Sequence, residues 1–183
     1  MNSSYLKSKL NYGDIFKVLV FMVQPKKIVE FGILDGYSLI QFINNTTYDC
    51  EIEAFDIFEK FNGNGANRNI IYKFNQYKNV KIKEGDFYEK FNSFENNSID
   101  ILHIDIANNG DVYQFTIDNY LDKISRNGII ILEGGSLKRD SIKWMKKYNK
   151  PLIQPIIEKL KIRTDIIIEV IDKYPSLTII MKK

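Results

Sequence analysis

Residues 30–38, Glu30-Phe31-Gly32-Ile33-Leu34-Asp35-Gly36-Tyr37-Ser38, have the residue types and spacing of a ligand-holding turn. Glycines at 32 and 36 reach backbone angles closed to other residues, and they let a ligand approach main-chain N–H groups at the start of a following helix. The spacing is neither G-x-G-x-x-G nor G-x-x-x-x-G-K-[ST], so a pyrophosphate loop is disfavoured. Asp56, Asp86, Asp105 and Glu133 each close an apolar run further along the chain. An acid placed like Asp56 accepts hydrogen bonds from both hydroxyls of a ribose, which points to a nucleoside without a pyrophosphate. If a hydroxyl reacts at this rim, Asp105 first, and Glu133 second, are the candidates to remove or steer its proton.

These acids act together only if the intervening elements bring them to one rim. Residues 14–23 carry apolar side chains at helical spacing, opened by Gly13-Asp14 and closed before Pro25. Residues 26–31 then read as a strand, 32–36 as a turn and 37–44 as a helix. The unit recurs: strand Glu51–Asp56, a polar Gly/Asn loop over 62–69, a helix over 70–77, and a strand over 80–83 ending at Gly85-Asp86. Next come strand Ile99–Ile104, a helix over 113–125, and a strand over 128–132 after the turn Asn127-Gly128. Strands alternating with helices imply a parallel sheet covered on both faces.

The end of the chain breaks this rhythm. A basic stretch, Lys138 to Lys150, reads as one amphipathic helix with a solvated face, and 156–160 as a short helix. The runs 165–171 and 177–181 are separated by too few residues for a helical crossover, so the last strand reverses. The expected architecture is a Rossmann-like three-layer α/β sandwich with seven strands, the seventh antiparallel. The whole chain, 1–183, reads as one domain, with an opening helix region over 1–24 and a terminal hairpin over 164–183. In such sheets ligands sit beyond the carboxyl ends of the strands, where five consecutive strands here deliver an acid.

Composition narrows the class. Apolar residues are 44% and charged residues 27% of the chain, ordinary for a globular protein. No apolar run reaches the ~20 residues of a membrane span, and residues 1–10 are too polar for a secretory leader. The net charge of +3, from 26 basic and 23 acidic residues, gives no nucleic-acid signal. Cys50 is the only cysteine, which excludes a disulfide within the chain and fits a cytoplasmic setting. It reads as a small residue beside a strand. His103, the only histidine, alternates with Leu102 and Ile104 and reads as a satisfied core residue. Trp144 and Tyr148 read as packing, Asn62-Gly63-Asn64-Gly65 as a surface loop, and Tyr5, Leu6 and Tyr12 as part of a lid. With few insertions to cover an acceptor, a second copy of the chain is the expected partner where one is needed.

The chain resembles the class I S-adenosylmethionine-dependent methyltransferases over nearly its whole length. Glu30-x-Gly32-x-x-x-Gly36-x-Ser38 is similar to the family's first motif, which cradles the methionine part of the cofactor. The resemblance makes Asp56, with Ile57 beside it, the ribose site and Asp86-Phe87 the adenine contact. Residues 99–105, Ile-Asp-Ile-Leu-His-Ile-Asp, resemble the fourth motif, whose closing Asp105 lies near cofactor and acceptor. The small O-methyltransferases, catechol-type and macrocin-type, are matched in part, which implies a small-molecule acceptor. Catechol-type members place a metal-binding Asp after the fourth strand, a Lys base three residues on, and Asp-Asn after the fifth. Here the positions hold Asp105, Asn108 and Glu133-Gly134-Gly135, so the base is missing and no metal ligand set is assigned, although Asp105 and Glu133 remain able to share a divalent ion with waters. Two other readings stay open: a cofactor-binding protein without turnover, and a nicotinamide-dependent oxidoreductase, against which the glycine spacing and reversed last strand both speak.

Overall fold

A computed structural model describes residues 3–60 and 65–183. After a 3-10 turn at Ser4–Lys7 come α1 (Tyr12–Val23), β1 (Lys27–Phe31), α2 (Tyr37–Asn45), β2 (Glu51–Asp56), α3 (Ile70–Phe74), β3 (Val80–Glu84), α4 (Phe87–Lys90) and β4 (Ile99–Ile104). The chain continues through α5 (Gly110–Asn119), β5 (Ile124–Glu133), α6 (Leu137–Asp140), α7 (Lys143–Lys147), α8 (Gln154–Lys161), β6 (Ile166–Ile171) and β7 (Leu177–Lys182). The seven strands form one sheet in the order β3-β2-β1-β4-β5-β7-β6, with β7 antiparallel to both its neighbours. The Rossmann-like sandwich and the reversed seventh strand are as expected.

Strand alternation divides the core. Successive residues of a strand face opposite sides of the sheet. Val29, Phe31, Leu102, Ile104, Ile130 and Leu132 accordingly pack with Val112, Tyr113 and Ile117 of α5 and with Ile157 and Leu160 of α8. Ile28, Ile52, Ala54, Ile101, Ile129 and Ile131 face the other way, onto Phe16 and Val20 of α1 and Leu39 and Phe42 of α2. Strand order reverses between β1 and β4, whose pairing runs from Ile28↔Ile101 to Phe31↔Ile104. The register sets Phe31, Phe55, Ile104 and Leu132 at one level. Gly32, Asp56, Asp105 and Glu133 therefore emerge together.

Several element bounds differ from the sequence reading for local reasons. Asn11, not Gly13-Asp14, caps α1, its side chain accepting from the Gly13 N–H at 3.1 Å. The helix expected over 113–125 starts at Gly110, where Asn109 caps it, and ends at Asn119. β5 begins at Ile124, because Asn127-Gly128 is absorbed as an irregularity inside the strand, with Asn127 at φ 62°, instead of turning the chain. α3 stops at Phe74 instead of 77. The basic stretch is two short helices, α6 and α7, because Ile142 between them is extended at φ −65°, ψ 153°. Among the described residues no helix is long and apolar enough to cross a membrane. Asn62, Gly63 and Asn64 lie outside the described residues.

Candidate active site

A cavity of about 750 Å³ opens over the carboxyl ends of β1, β2, β3 and β4, within the range of small-molecule sites. Gly32, Ser38, Asp56, Ile57, Asp86, Phe87 and Asp105 line it. Main-chain bonds lock its floor: the Gly32 N–H donates to the Phe55 carbonyl and the Asp105 N–H to the Phe31 carbonyl, both at 2.9 Å. Gly32 at φ 89° is required by this packing, because a Cβ there would lie 2.1 Å from the Asp105 carbonyl oxygen. Gly36, at φ 73°, would press a Cβ 2.7 Å from the Phe74 ring and does not line the cavity. Both glycines thus make room for neighbouring protein groups, and Gly32 also lines the cavity.

Asp56 is buried against the first turn. Its Oδ2 accepts from the Ile33 N–H and its Oδ1 from the Phe58 N–H, each at 2.8 Å. Asp86 caps α4, accepting from the Tyr88 N–H at 2.8 Å. Phe87 stacks on Tyr120 with centroids 5.0 Å apart, so its ring is core as well as cavity wall.

Glu30 does not reach the cavity. Strand alternation turns its side chain onto the α1/α2 face, where it is fully buried. There the Ser38 hydroxyl donates to Oε1, and His103 Nδ1 lies 2.8 Å from the same oxygen. Oε2 is buried without a partner. His103 is the satisfied core histidine expected, with its ring edge-on to Phe16 and Phe42. Its Nε2 lies 3.3 Å from the Tyr5 hydroxyl, which also hydrogen-bonds Asp105. A buried chain of polar groups, Ser38, Glu30, His103, Tyr5 and Asp105, thereby runs beneath the cavity.

The lid expectation holds only in part. Ser3, Ser4 and Tyr5 form a wall of the cavity, Leu6 is exposed, and Tyr12 is core, its hydroxyl donating to the Lys173 and Pro175 carbonyls.

At the β4–β5 end the acids are buried together. Burial, with Glu30 close by, raises the Asp105 carboxyl above the usual range against the opposing influence of His103 and Tyr5. Burial first, and then the charge of Asp105, push Glu133 up to about 7, against Arg139. Glu133 does not line the cavity. Its carboxylate faces Arg139, whose Nε lies 3.1 Å from both oxygens, with side chains only 12% and 14% exposed. Asn108, at the position of the missing lysine base, is a fully buried clamp: its Nδ2 donates to the carbonyls of Ile104 at 2.8 Å and Glu133 at 2.9 Å. Gly134 and Gly135, both at φ 104°, bend the chain away, and a Cβ on Gly135 would strike Thr178 Oγ1.

Arg139 and Lys150, read from the sequence as a solvated face, and Trp144, read as packing, line the far wall. The Arg139 guanidinium lies 5.5 Å and Lys150 Nζ 5.9 Å from the Trp144 ring centre, so Trp144 is a cavity residue as well as packing. The one available signal was the single arginine in a run of lysines, the residue suited to a two-oxygen contact.

The family profile of the methyltransferase domain matches residues 29–133, from β1 through the end of β5. The chain belongs to the methyltransferase-domain family. No curated protein sequence matches it significantly. This methyltransferase superimposes on an O-methyltransferase from Bacillus cereus in complex with SAH at a TM-score of 0.71 and 17% identity, over 94% of this chain and 80% of the other. An SAH-bound methyltransferase from Podospora anserina gives 0.71 at 20% identity, over 96% and 80%. An O-methyltransferase from Streptomyces achromogenes involved in tomaymycin synthesis, in complex with SAM, gives 0.70 at 16%, over 94% and 79%. At these identities the likeness establishes the fold.

A divalent cation does not fit the acceptor end of this methyltransferase. Two carboxylates are present, the third catechol-type position is Gly134, and a guanidinium already holds Glu133. Among the described residues no cluster of three His, Cys, Asp or Glu side chains is placed to hold a metal.

Proposed function

We propose that this methyltransferase transfers the methyl group of S-adenosylmethionine to an oxygen of a small-molecule acceptor. One observation carries the reading: a single cavity holds the Gly32 turn, Asp56 and Asp105 along the strand ends and Arg139 and Trp144 on the far wall. Donor and acceptor therefore have one shared space. The residues suit the cofactor, since the Asp56 carboxylate lines the cavity where ribose hydroxyls would lie, and Ile57, Phe87 and Tyr88 offer an apolar wall for a base. Bound cofactor supplies an activated sulfonium methyl group.

The protein's own task is then alignment and exclusion of water. Asp105 receives or steers the acceptor's proton, because it lines the cavity and burial raises its proton affinity above that of an ordinary carboxylate. Tyr5, whose hydroxyl burial keeps protonated, fixes the Asp105 carboxylate from below. Glu133 acts through Arg139 as a positioning residue. The setting is cytoplasmic and reducing, in keeping with the buried Cys50, whose thiol burial pushes up to about 11.

Calorimetry with S-adenosylhomocysteine tests the cofactor: saturable heat is expected, and its absence ends the reading. Asp105→Asn is expected to lower transfer by about 10²- to 10⁴-fold while product affinity stays within about threefold. An unchanged rate removes Asp105 from the chemistry, and binding without transfer to any hydroxylated acceptor leaves a cofactor-binding protein without turnover.

A further inference from the structure

The acceptor end contains a permanent positive charge. Arg139 reaches it because Ser136 caps α6, its side chain accepting from the Arg139 N–H at 3.2 Å, which turns the side chain back over the end of β5. Nε meets both oxygens of Glu133 at 3.1 Å, and Nη2 donates to the Asn108 carbonyl at 2.9 Å, on the loop that begins with Asp105. Nη1 is buried and has no hydrogen-bond partner among the described residues. A buried charged donor left unpaired is costly, and it is retained where another group is to meet it. Two buried carboxylates side by side also need a counter-charge, which a divalent ion supplies only when further oxygen ligands are present. Here the next two residues after Glu133 are glycines, and Asn108 spends its amide on the strand-end carbonyls.

We propose that Arg139 is the resident cation of this site, standing on Glu133 in place of a divalent ion and setting its positive charge on the cavity wall beside the acceptor oxygen, so that the protein works without a metal. The acceptor's role rests on the methyltransferase reading; the exclusion of metal does not. A guanidinium suits the task because it stays charged at every working pH and offers donors in a fixed plane. The nucleophile it favours is an oxygen that is anionic or becomes so as its proton leaves toward Asp105.

The test uses Mn²⁺ alone as the probe. The full chain at about pH 8, where Glu133 is ionised, is titrated by calorimetry as wild type, Arg139→Lys and Arg139→Gln. Wild type and Arg139→Lys are expected to show no saturable binding. Arg139→Gln is expected to bind Mn²⁺ at least about tenfold tighter than wild type, since the two carboxylates lose their counter-charge. Adding Glu133→Gln is expected to abolish that gain. Wild-type binding with a Kd below about 1 mM, the weak end of carboxylate sites, that is lost in Glu133→Gln overturns the proposal. So does an Arg139→Gln protein that binds S-adenosylhomocysteine yet takes no Mn²⁺. If Arg139→Gln does not fold, the wild-type titration alone decides. Chelator is expected to leave transfer unchanged, and its loss with EDTA also overturns the inference. Absence of product heat in wild type would sink the methyltransferase reading and leave the Mn²⁺ result standing.

Discussion

At the Gly32 end of the cavity the walls are main chain fixed by strand pairing, whereas at the Arg139 end they are long side chains carried on the excursion over 134–153 between β5 and α8. The charges differ too. Asp35, Asp56 and Asp86 line the first end, and Arg139 and Lys150 the second. A nucleoside presents the same hydroxyls and base in every member of a family, so a fixed backbone frame serves it. An acceptor varies, and side chains on a detour change without disturbing the sheet. The first end should therefore fail when a Cβ is added, and the second when a polar side chain is removed.

The hardest blow to the backbone end is Gly32→Ala. A Cβ 2.1 Å from the Asp105 carbonyl, at φ 89°, forces the β1 turn and the start of the 105–109 loop apart. A loss of about 3 kcal/mol in denaturant unfolding is expected, together with product binding. A Gly32→Ala protein with unaltered stability would show that the two strand ends are not locked.

Asp140→Ala probes the other end. The Asp140 carboxylate accepts from the N–H groups of Ile153 at 2.8 Å and Gln154 at 2.9 Å, pinning the excursion to the start of α8, whose own cap residue supplies no side-chain bond. Loss of about 2 kcal/mol is expected. Product affinity should stay within about twofold, since nothing at the Gly32 end rests on Asp140. A matching fall in product affinity would mean the two ends are one cooperative unit.

The smallest effect is a pH slope. Because the folded pKa of Glu133, about 7, lies above its ordinary value, the neutral acid contributes stability below about 4.5 that is lost as pH rises through 7. Asp49, Glu53, Glu84 and Asp165 are held below their ordinary values by lysine and arginine partners, and their contribution is lost only as pH falls below about 4. Between those limits unfolding free energy should decline with pH by at most about 1 kcal/mol per pH unit. Glu133→Gln should flatten the decline, and a slope that survives it would assign the titration to Asp105 alone.

The donor end was legible because its signals are local. Glycines needing positive φ, an acid at the close of each apolar run and period-two burial all lie within a few residues of the chain. Even so, Glu30 pointed elsewhere than expected: its place in the motif was readable, but the side of the sheet it faces depends on the pleat of β1 beside His103 of β4. The basic stretch was misread for a related reason. Its spacing suits one helix, yet Asp140 is drawn to α8 and Arg139 to Glu133, and these contacts favour two short helices with an extended Ile142 between them.

The sequence by itself determined the strand count, the reversal of the last strand and the row of acids at one rim, because these follow from apolar periodicity, loop length and the two-residue repeat of a strand. Only the tertiary structure decided which acid faces the cavity, which faces the core and which is held by a guanidinium. Those outcomes depend on groups distant in the chain meeting in a buried space, where an unpaired charge costs more than any local preference can repay.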